Sequence, residues 1–227
     1  ISGAGIPELG DVLLQPAAGQ RWTAESRDFA AAKSRRSERA RPGFYTVRLP
    51  AHGVTVALTA TPRVALHRYT FDRPGRVQVL LDLQHGLRYV EGPRVTQAEA
   101  QVDAAAGEVS GTVHSRNWVE RQASFALRFS RPIAQVIRLP ERPGEKAPRW
   151  VLGFDLGGAR VLEARVALST VDLAGARANL ATAEALDFDH ARRAADARWN
   201  QLLGRVSIEA DARTRRLFYS ALYRTLL

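Results

Sequence analysis

Few residues in this sequence are placed to do chemistry by themselves. Cysteine is absent, which removes disulfides, thiolate nucleophiles and thiolate metal sites. The five histidines, His52, His67, His85, His114 and His190, are scattered and show no metal-ligand spacing. His67 alternates with apolar neighbours and reads as a core histidine rather than a catalytic one. The carboxylate pairs Asp187/Asp189 and Asp82/Glu91 follow no distinctive pattern, and Asp187 reads as a helix-start residue. Two stretches remain. Ser2-Gly3-Ala4-Gly5 is a run of small residues whose backbone can approach a ligand closely. Glu38 places a carboxylate in a polar, arginine-rich stretch, where it faces a cleft or pairs with Arg68; the pair is the preferred reading. Trp22, Trp118, Trp150 and Trp199 are candidates for stacking on a sugar, although Trp199 lies on a helical apolar face and reads as core.

The elements that must position these residues are strands. Residues 42–71 hold three alternating segments: Tyr45, Val47, Leu49; Val54, Val56, Leu58, Ala60; and His67, Tyr69, Phe71. The breaks between them are too short for a crossover helix, so the three are antiparallel neighbours in a meander. Further strands are expected at 12–14, 77–83, 87–90, 95–100, 108–114, 124–129, 133–139, 150–155 and 161–168. Asp72-Arg-Pro-Gly75, residues 105–107 and Gly157-Gly158 supply turns. Residues 17–41 read as irregular, with a helical turn at 29–33. About a dozen strands at short spacing predict a large antiparallel β-sandwich.

From Ser169 the apolar period changes from two to about 3.6. Asp172 can cap a helix running to Glu184. A second helix spans 187–203, with Phe188, Ala191, Ala195, Trp199 and Leu202 on one face and Gly204 as its C′ glycine. A third starts near Asp211 and carries Leu217, Phe218, Ala221, Leu222 and Thr225 to the last residue, with no stop signal. The expectation is a chain excised from a longer protein, which also fits the missing methionine and leader.

The net charge of +10 comes almost wholly from arginine. Its densest stretch, residues 33–41, is interrupted by Glu38 and lacks aromatics, so it reads as a solvated loop and no nucleic-acid partner is expected. No run of apolar residues is long enough for a membrane-spanning helix.

Several blocks resemble the N-terminal domain of family 92 glycoside hydrolases, the calcium-dependent exo-α-mannosidases. They are Pro42-Gly-Phe-Tyr, Leu58-Thr-Ala-Thr, His67-Arg-Tyr-Thr-Phe71, Val166-Ala-Leu-Ser169, Ala176-Arg-Ala-Asn-Leu180 with Glu184, Trp199-Asn200 and Phe218-Tyr-Ser-Ala-Leu-Tyr223, together with the Ser2 to Gly5 loop followed by Leu9-Gly-Asp11. They keep the family's order across nearly the whole chain. Departures are Ala4 in place of a hydroxyl residue, Lys33-Ser-Arg35 in place of Phe-Ser-His, and Arg224 in place of a histidine.

The resemblance implies a β-sandwich over 1–168, a helical linker over 169–210 and the first helix of an (α/α) barrel over 211–227. It implies inverting removal of terminal α-mannose in N-glycan degradation, a mannose-containing glycan as substrate, and secretion or a periplasmic location. The catalytic carboxylates and the calcium ligands belong to the catalytic domain, so no catalytic or metal residue is assigned in this chain, which alone is expected to be inactive. Ser2, Gly3, Gly5 and Glu38 are the candidate substrate-facing residues. Trp199, Phe218, Tyr219, Leu222 and Tyr223 are the candidate contacts with the chain's own catalytic domain. A stand-alone carbohydrate-binding sandwich is the alternative.

Overall fold

The structure, a computed structural model, describes residues 11–86, 94–116, 119–141, 144 and 146–226. Among them are twelve strands and three helices. The strands form two antiparallel sheets stacked as a sandwich, so the mainly-β expectation holds. The narrow sheet has the order β1-β6-β11-β10, from Leu13–Ala18, Arg76–Asp82, Arg149–Asp155 and Gln135–Arg138. The wide sheet has the order β2-β3-β4-β5-β12-β9-β8-β7, from Arg39–Arg41, Phe44–Leu49, Val54–Ala60, Val64–Phe71, Val161–Ser169, Glu120–Phe129, Glu108–Arg116 and Val95–Asp103.

The expected meander is present as β3-β4-β5, with registers Val47↔Val56 and Val56↔Tyr69. The turn residues 72–75 and 157–158 do not close hairpins. They carry the chain from one sheet to the other, β5 to β6 and β11 to β12. The last strand, β12, then inserts between β5 and β9 and joins the early meander to the later one. The strand expected at 87–90 lies outside the described residues.

Alternate residues of the two inner faces make the main core, which includes Tyr69, Phe71, Val79, Leu81, Phe125, Leu127, Leu152 and Phe154. Burying each large apolar side chain is worth roughly 1.5–3 kcal/mol. The β6 run Val77 to Leu81 is buried without alternation because both faces of the narrow sheet are covered. Its outer face carries a second cluster of Ala17, Trp22, Phe29, Leu80, Leu139 and Val151. The strap after β1 supplies Trp22 and Phe29 to it. Buried Gln78 holds the strap in place: its side chain accepts from Trp22 N at 2.8 Å and donates to Trp22 O at 2.9 Å. Residues 29–33 form no helical turn, since Phe29 and Ala31 are pulled toward different cores along an extended strap.

The helices lie on the outer face of the wide sheet. Helix α1, Leu173–Ala181, starts at Asp172, whose carboxylate accepts from Gly175 N at 2.6 Å. It buries Ala176 and Leu180 against Val64, Ala126 and Ala167. Helix α2, Phe188–Leu203, is capped by Asp187, which accepts from His190 N at 2.7 Å, so the helix-start reading of Asp187 holds. Gly204 ends it in a right-handed conformation (φ −74°) with its N–H on Asn200 O, so it is a C-cap and not the left-handed C′ residue expected. Helix α3, Ala212–Thr225, is capped by Asp211.

One residue ties α2 to the sheet. Arg68 on β5 donates to Glu163 on β12 and to Asp189 on α2, each at 2.8 Å, and its guanidinium lies 4.4 Å from the Phe188 ring centroid. Arg68 therefore pairs with these two carboxylates and not with Glu38, as the sequence had suggested. At the other end of α2, Gly43 (φ +77°) brings the β2–β3 turn so close that a Cβ there would stand 2.9 Å from Ala195 Cβ and 3.1 Å from the Trp199 ring. Phe44 sits between the guanidinium groups of Arg41 and Arg192 at 5.4 and 5.3 Å.

Leu152→Ala, at a fully buried inter-sheet position, is expected to lower unfolding free energy by about 2–5 kcal/mol in urea denaturation. Val136→Ala on the exposed edge strand β10 is expected to change it by no more than about 0.5 kcal/mol. Equal losses at the two positions would contradict the placement of the core.

Candidate functional site

The narrow sheet covers only part of the wide one, and beside its edge strand β1 the inner faces of β3, β4 and β5 line a groove of about 280 Å³. Leu14, Gln15 and Pro16 of β1 form one wall, and Tyr45, Leu58, His67 and Tyr69 form the other. Ala31 and Lys33 of the strap lie along it. A broader depression of about 590 Å³ shares His67 and continues past Asp11 and Val12 toward Arg63 and Asn179.

Glu38 does not line this groove, but it bonds to two residues that do, Lys33 and Tyr45. It accepts from Lys33 Nζ at 2.5 Å and from the Tyr45 hydroxyl at 2.8 Å, both on Oε1. These bonds, with Lys33 the larger influence, hold its carboxyl below the usual glutamate range. The Tyr45 phenol is pushed up to about 12, by burial first and by the Glu38 carboxylate second. The local backbone is fixed independently of these side chains. Ser34 N donates to Arg48 O at 3.0 Å, Arg48 N donates to Ser37 Oγ at 2.9 Å, and β2 then pairs with β3.

His67 lies deeper, half-buried, with Nδ1 2.8 Å from the Tyr69 hydroxyl. The enclosing walls push its pKa down to about 4, so the neutral core-histidine reading holds. Trp22 and Trp150 are buried in the two cores and are not free to stack on a sugar; Trp118 lies outside the described residues. Ser2, Gly3 and Gly5 also lie outside them. The chain that follows those residues is anchored at Asp11, whose buried carboxylate accepts from Arg121 Nη2 at 2.6 Å and stands 3.4 Å from Arg94 Nη1. Val12 next to it holds φ +58°, a left-handed conformation that a β-branched residue adopts only under strain.

The candidate contact residues of the helices do come together. The Trp199 and Tyr223 ring centroids are 4.9 Å apart, those of Phe218 and Tyr219 are 5.2 Å apart, and the Tyr219 hydroxyl donates to Val206 O at 3.1 Å. Leu222 is half-buried in the same helix, but α3 has no fully buried residue, and Leu217 is 63% exposed. A cavity of about 660 Å³ opens between α3 and the sandwich, lined by Pro42, Leu203, Arg215, Arg216, Tyr219 and Tyr223 among others.

Comparison with known families agrees with this arrangement of sandwich and helices. Residues 1–169 match the glycosyl hydrolase family 92 N-terminal domain, and residues 175–227 match the glycosyl hydrolase family 92 catalytic domain. The chain belongs to glycosyl hydrolase family 92. Among solved structures it is similar to a family GH92 α-mannosidase from Bacteroides thetaiotaomicron in complex with mannoimidazole, at 24% identity and a TM-score of 0.85, over 98% of this chain and 32% of that one. It is similar to the GH92 glycosyl hydrolase ccman5 at 25% identity and a TM-score of 0.78, over 94% of this chain and 31% of that one. It is also similar to a family GH92 inverting mannosidase from Bacteroides thetaiotaomicron VPI-5482, at 24% identity and a TM-score of 0.78, over 94% and 29%. The chain thus spans about a third of the length of these structures. A search of curated proteins finds no match.

The family 92 catalytic-domain match begins inside α1, so it takes in helices that in this structure pack on the sandwich. Among the described residues no three His, Asp or Glu side chains gather where they could hold one ion. Glu38 and Asp11 are engaged by cationic partners, so the described donor set does not fit calcium. No helix among the described residues is long and apolar enough to cross a membrane. Sequence reasoning missed Tyr45, Lys33 and the Asp11 cluster as site-forming residues. Tyr45 carries an alternation signal that reads only as core, and no local pattern joins Asp11 to arginines far along the chain.

The pKa of His67 makes stability pH-dependent. Folding lowers it from 6.5 to about 4, so between these values the unfolded chain binds more protons and stability falls as pH falls. The contribution is complete above about pH 6.5 and lost near pH 4, on the order of 1–3 kcal/mol. His67→Gln should flatten the stability-versus-pH curve over that window in urea titrations. An unchanged slope would contradict the enclosed neutral ring. In hydrogen exchange, the α3 amides should exchange faster than those of β5 and β12, since nothing on α3 is fully buried; equal protection in a monomer would contradict its exposure.

Proposed function

We propose that this chain is the sandwich and opening helical part of an exo-α-mannosidase that removes terminal α-linked mannose with inversion. The observation that carries the reading is the succession, on one chain, of matches to the N-terminal and catalytic domains of family 92. The structural likeness to α-mannosidases supports the fold in which this chemistry is to be placed. The catalytic-domain match also weighs against a stand-alone carbohydrate-binding module.

Inversion uses two carboxyl groups about 6.5–9.5 Å apart, one protonating the leaving oxygen and the other activating a water between them. In this reading they lie in the catalytic domain beyond the residues described, with the calcium ion. The sandwich reaches to 168, the linker to 210, and the barrel begins at 211. Trp199, Phe218, Tyr219, Leu222 and Tyr223 meet the rest of that domain.

The sandwich contributes a wall. An exo-acting enzyme needs a closed pocket for one terminal sugar, and a helical barrel end is an open bowl. The Ser2, Gly3 and Gly5 segment and Glu38 close it, held by a rigid scaffold as such contacts usually are. The substrate is a mannose-containing glycan, and the place of action is the periplasm or the exterior, where N-glycans are broken down.

The full-length protein should hydrolyse an α-mannoside, release β-mannose first by NMR, and lose activity on calcium chelation. Residues 1–227 alone should release none. Initial α-mannose would overturn inversion, and turnover by 1–227 would overturn the division of labour.

A further inference from the structure

Helix α3 carries a charge imbalance that its neighbour α2 does not. Its 14 residues include the arginines Arg213, Arg215, Arg216 and Arg224 and no carboxylate. None of these four guanidinium groups makes an ion pair or a hydrogen bond among the described residues. The cap Asp211 turns its carboxylate to the amides of Arg213 and Thr214, at 2.8 and 3.1 Å. Arg213, Arg215 and Arg216 crowd the start of the helix, where its dipole is positive and cations are disfavoured. Arg213 and Arg216 also repel each other at a spacing of three. On α2 the charges are matched: Arg192 stands 4.0 Å from Asp189, and Asp196 accepts from Arg41 at 3.0 Å.

The helical period sorts α3 into two sides. Phe218 and Leu222 are half-buried, and the Tyr223 ring lies 4.9 Å from Trp199 of α2. Arg213, Arg216, Leu217, Ser220 and Arg224 recur at steps of three and four, so they share another side. All five are exposed. Arg216, Ser220 and Arg224 also line the cavity of about 660 Å³ beside the sandwich. One leucine ringed by unpaired arginines has the composition of an interface with an apolar centre and a charged rim.

We propose that this side of α3 docks onto an acidic surface of the chain's own catalytic domain, with carboxylates paired to Arg213, Arg216 and Arg224 around an apolar socket for Leu217. The inference rests on the reading that α3 opens that domain. Two observations choose this occupant. The catalytic-domain match runs through α3. The chain spans about a third of the related structures, so most of their length has no counterpart in it. A covalently attached partner also meets the helix at high effective concentration. Carboxylates supply the counter-charge that α3 lacks, and guanidinium forks hold them through paired hydrogen bonds.

The test is hydrogen exchange of the α3 amides in the full-length protein and in residues 1–227. Each is measured as wild type, as Arg213→Glu/Arg216→Glu and, for control, as Arg131→Glu on the exposed turn after β9. In residues 1–227 the double variant should exchange about two- to threefold more slowly than wild type, because acids then stand near the positive end of the helix. In the full-length protein wild-type α3 should exchange roughly tenfold more slowly than in 1–227, and the double variant should lose most of that protection. Salt at about 0.5 M should speed exchange of the full-length wild type several-fold. Arg131→Glu should change neither length. A merely solvated face would not give one substitution opposite signs in the two lengths. If α3 exchanges equally fast in both lengths, the catalytic domain does not cover it, and the placing of the barrel's start at 211 fails together with this inference. If the full-length protein protects α3 but salt and the double variant leave that protection unchanged, the inference alone is overturned. The salt response needs no variant, so it stands as the test even if the double variant does not fold. Binding of the full-length wild type, but not of the double variant, to phosphatidylglycerol vesicles would show this side turned to a lipid surface and would overturn the inference as well.

Discussion

An eight-stranded sheet stacked on a four-stranded one leaves bare inner face beyond the narrow sheet. At about 4.8 Å per strand the wide sheet extends about 19 Å further. Its apolar side chains cannot be left in water, so other segments must cover them. On the β7–β8 flank Ile133 and Ala147, from the connections around β10, join the core with Val95, Val109 and Val113. On the β3–β5 flank the strap after β1 does the covering, but incompletely. The groove is what remains, and its position follows from the mismatch in sheet width.

The outer face of the wide sheet has the same problem and a different solution. Helices α1 and α2 bury Val64, Leu66, Ala126 and Ala167 there. Arg68 then fixes α2 by joining two strands and the helix through one guanidinium. It does so where β12 has been inserted beside β5, so the residue that docks the helix also spans the seam between the two halves of the sheet. Arginine suits this place because its planar fork can serve two carboxylates while its face lies over Phe188. A lysine at that position would meet one partner at a time.

The lip of the groove uses charge in another way. Lys33, Glu38 and Tyr45 are partly exposed, so their value as a stabilising pair is small. Both Lys33 and Tyr45 bond the same Glu38 oxygen, which favours the charged form of the carboxyl. The strap backbone is secured elsewhere, by the Ser34 N–Arg48 O and Arg48 N–Ser37 Oγ bonds. Asp11, by contrast, is buried between arginines beside the strained Val12. There the same residue types form an enclosed ion pair that holds a chain segment in place.

Strand existence was legible in the sequence because side-chain alternation is local: β3, β4, β5, β8 and β12 appear where the apolar period predicts them. Helix starts were legible for a similar reason, since Asp172, Asp187 and Asp211 each cap by bonding an amide two or three residues on. The family blocks were legible by their order. Alternation says which face a residue takes, but not which strand lies beside it, so the division of strands between the two sheets and the insertion of β12 were decided only by tertiary structure. The same limit hid the partners of the charges. Arg68 and Glu38 lie on strands or loops with many carboxylates and cations within reach in sequence. Long-range strand registers and the docking of α2 placed Asp189 beside Arg68, while the β2–β3 pairing and the strap set Tyr45 and Lys33 beside Glu38.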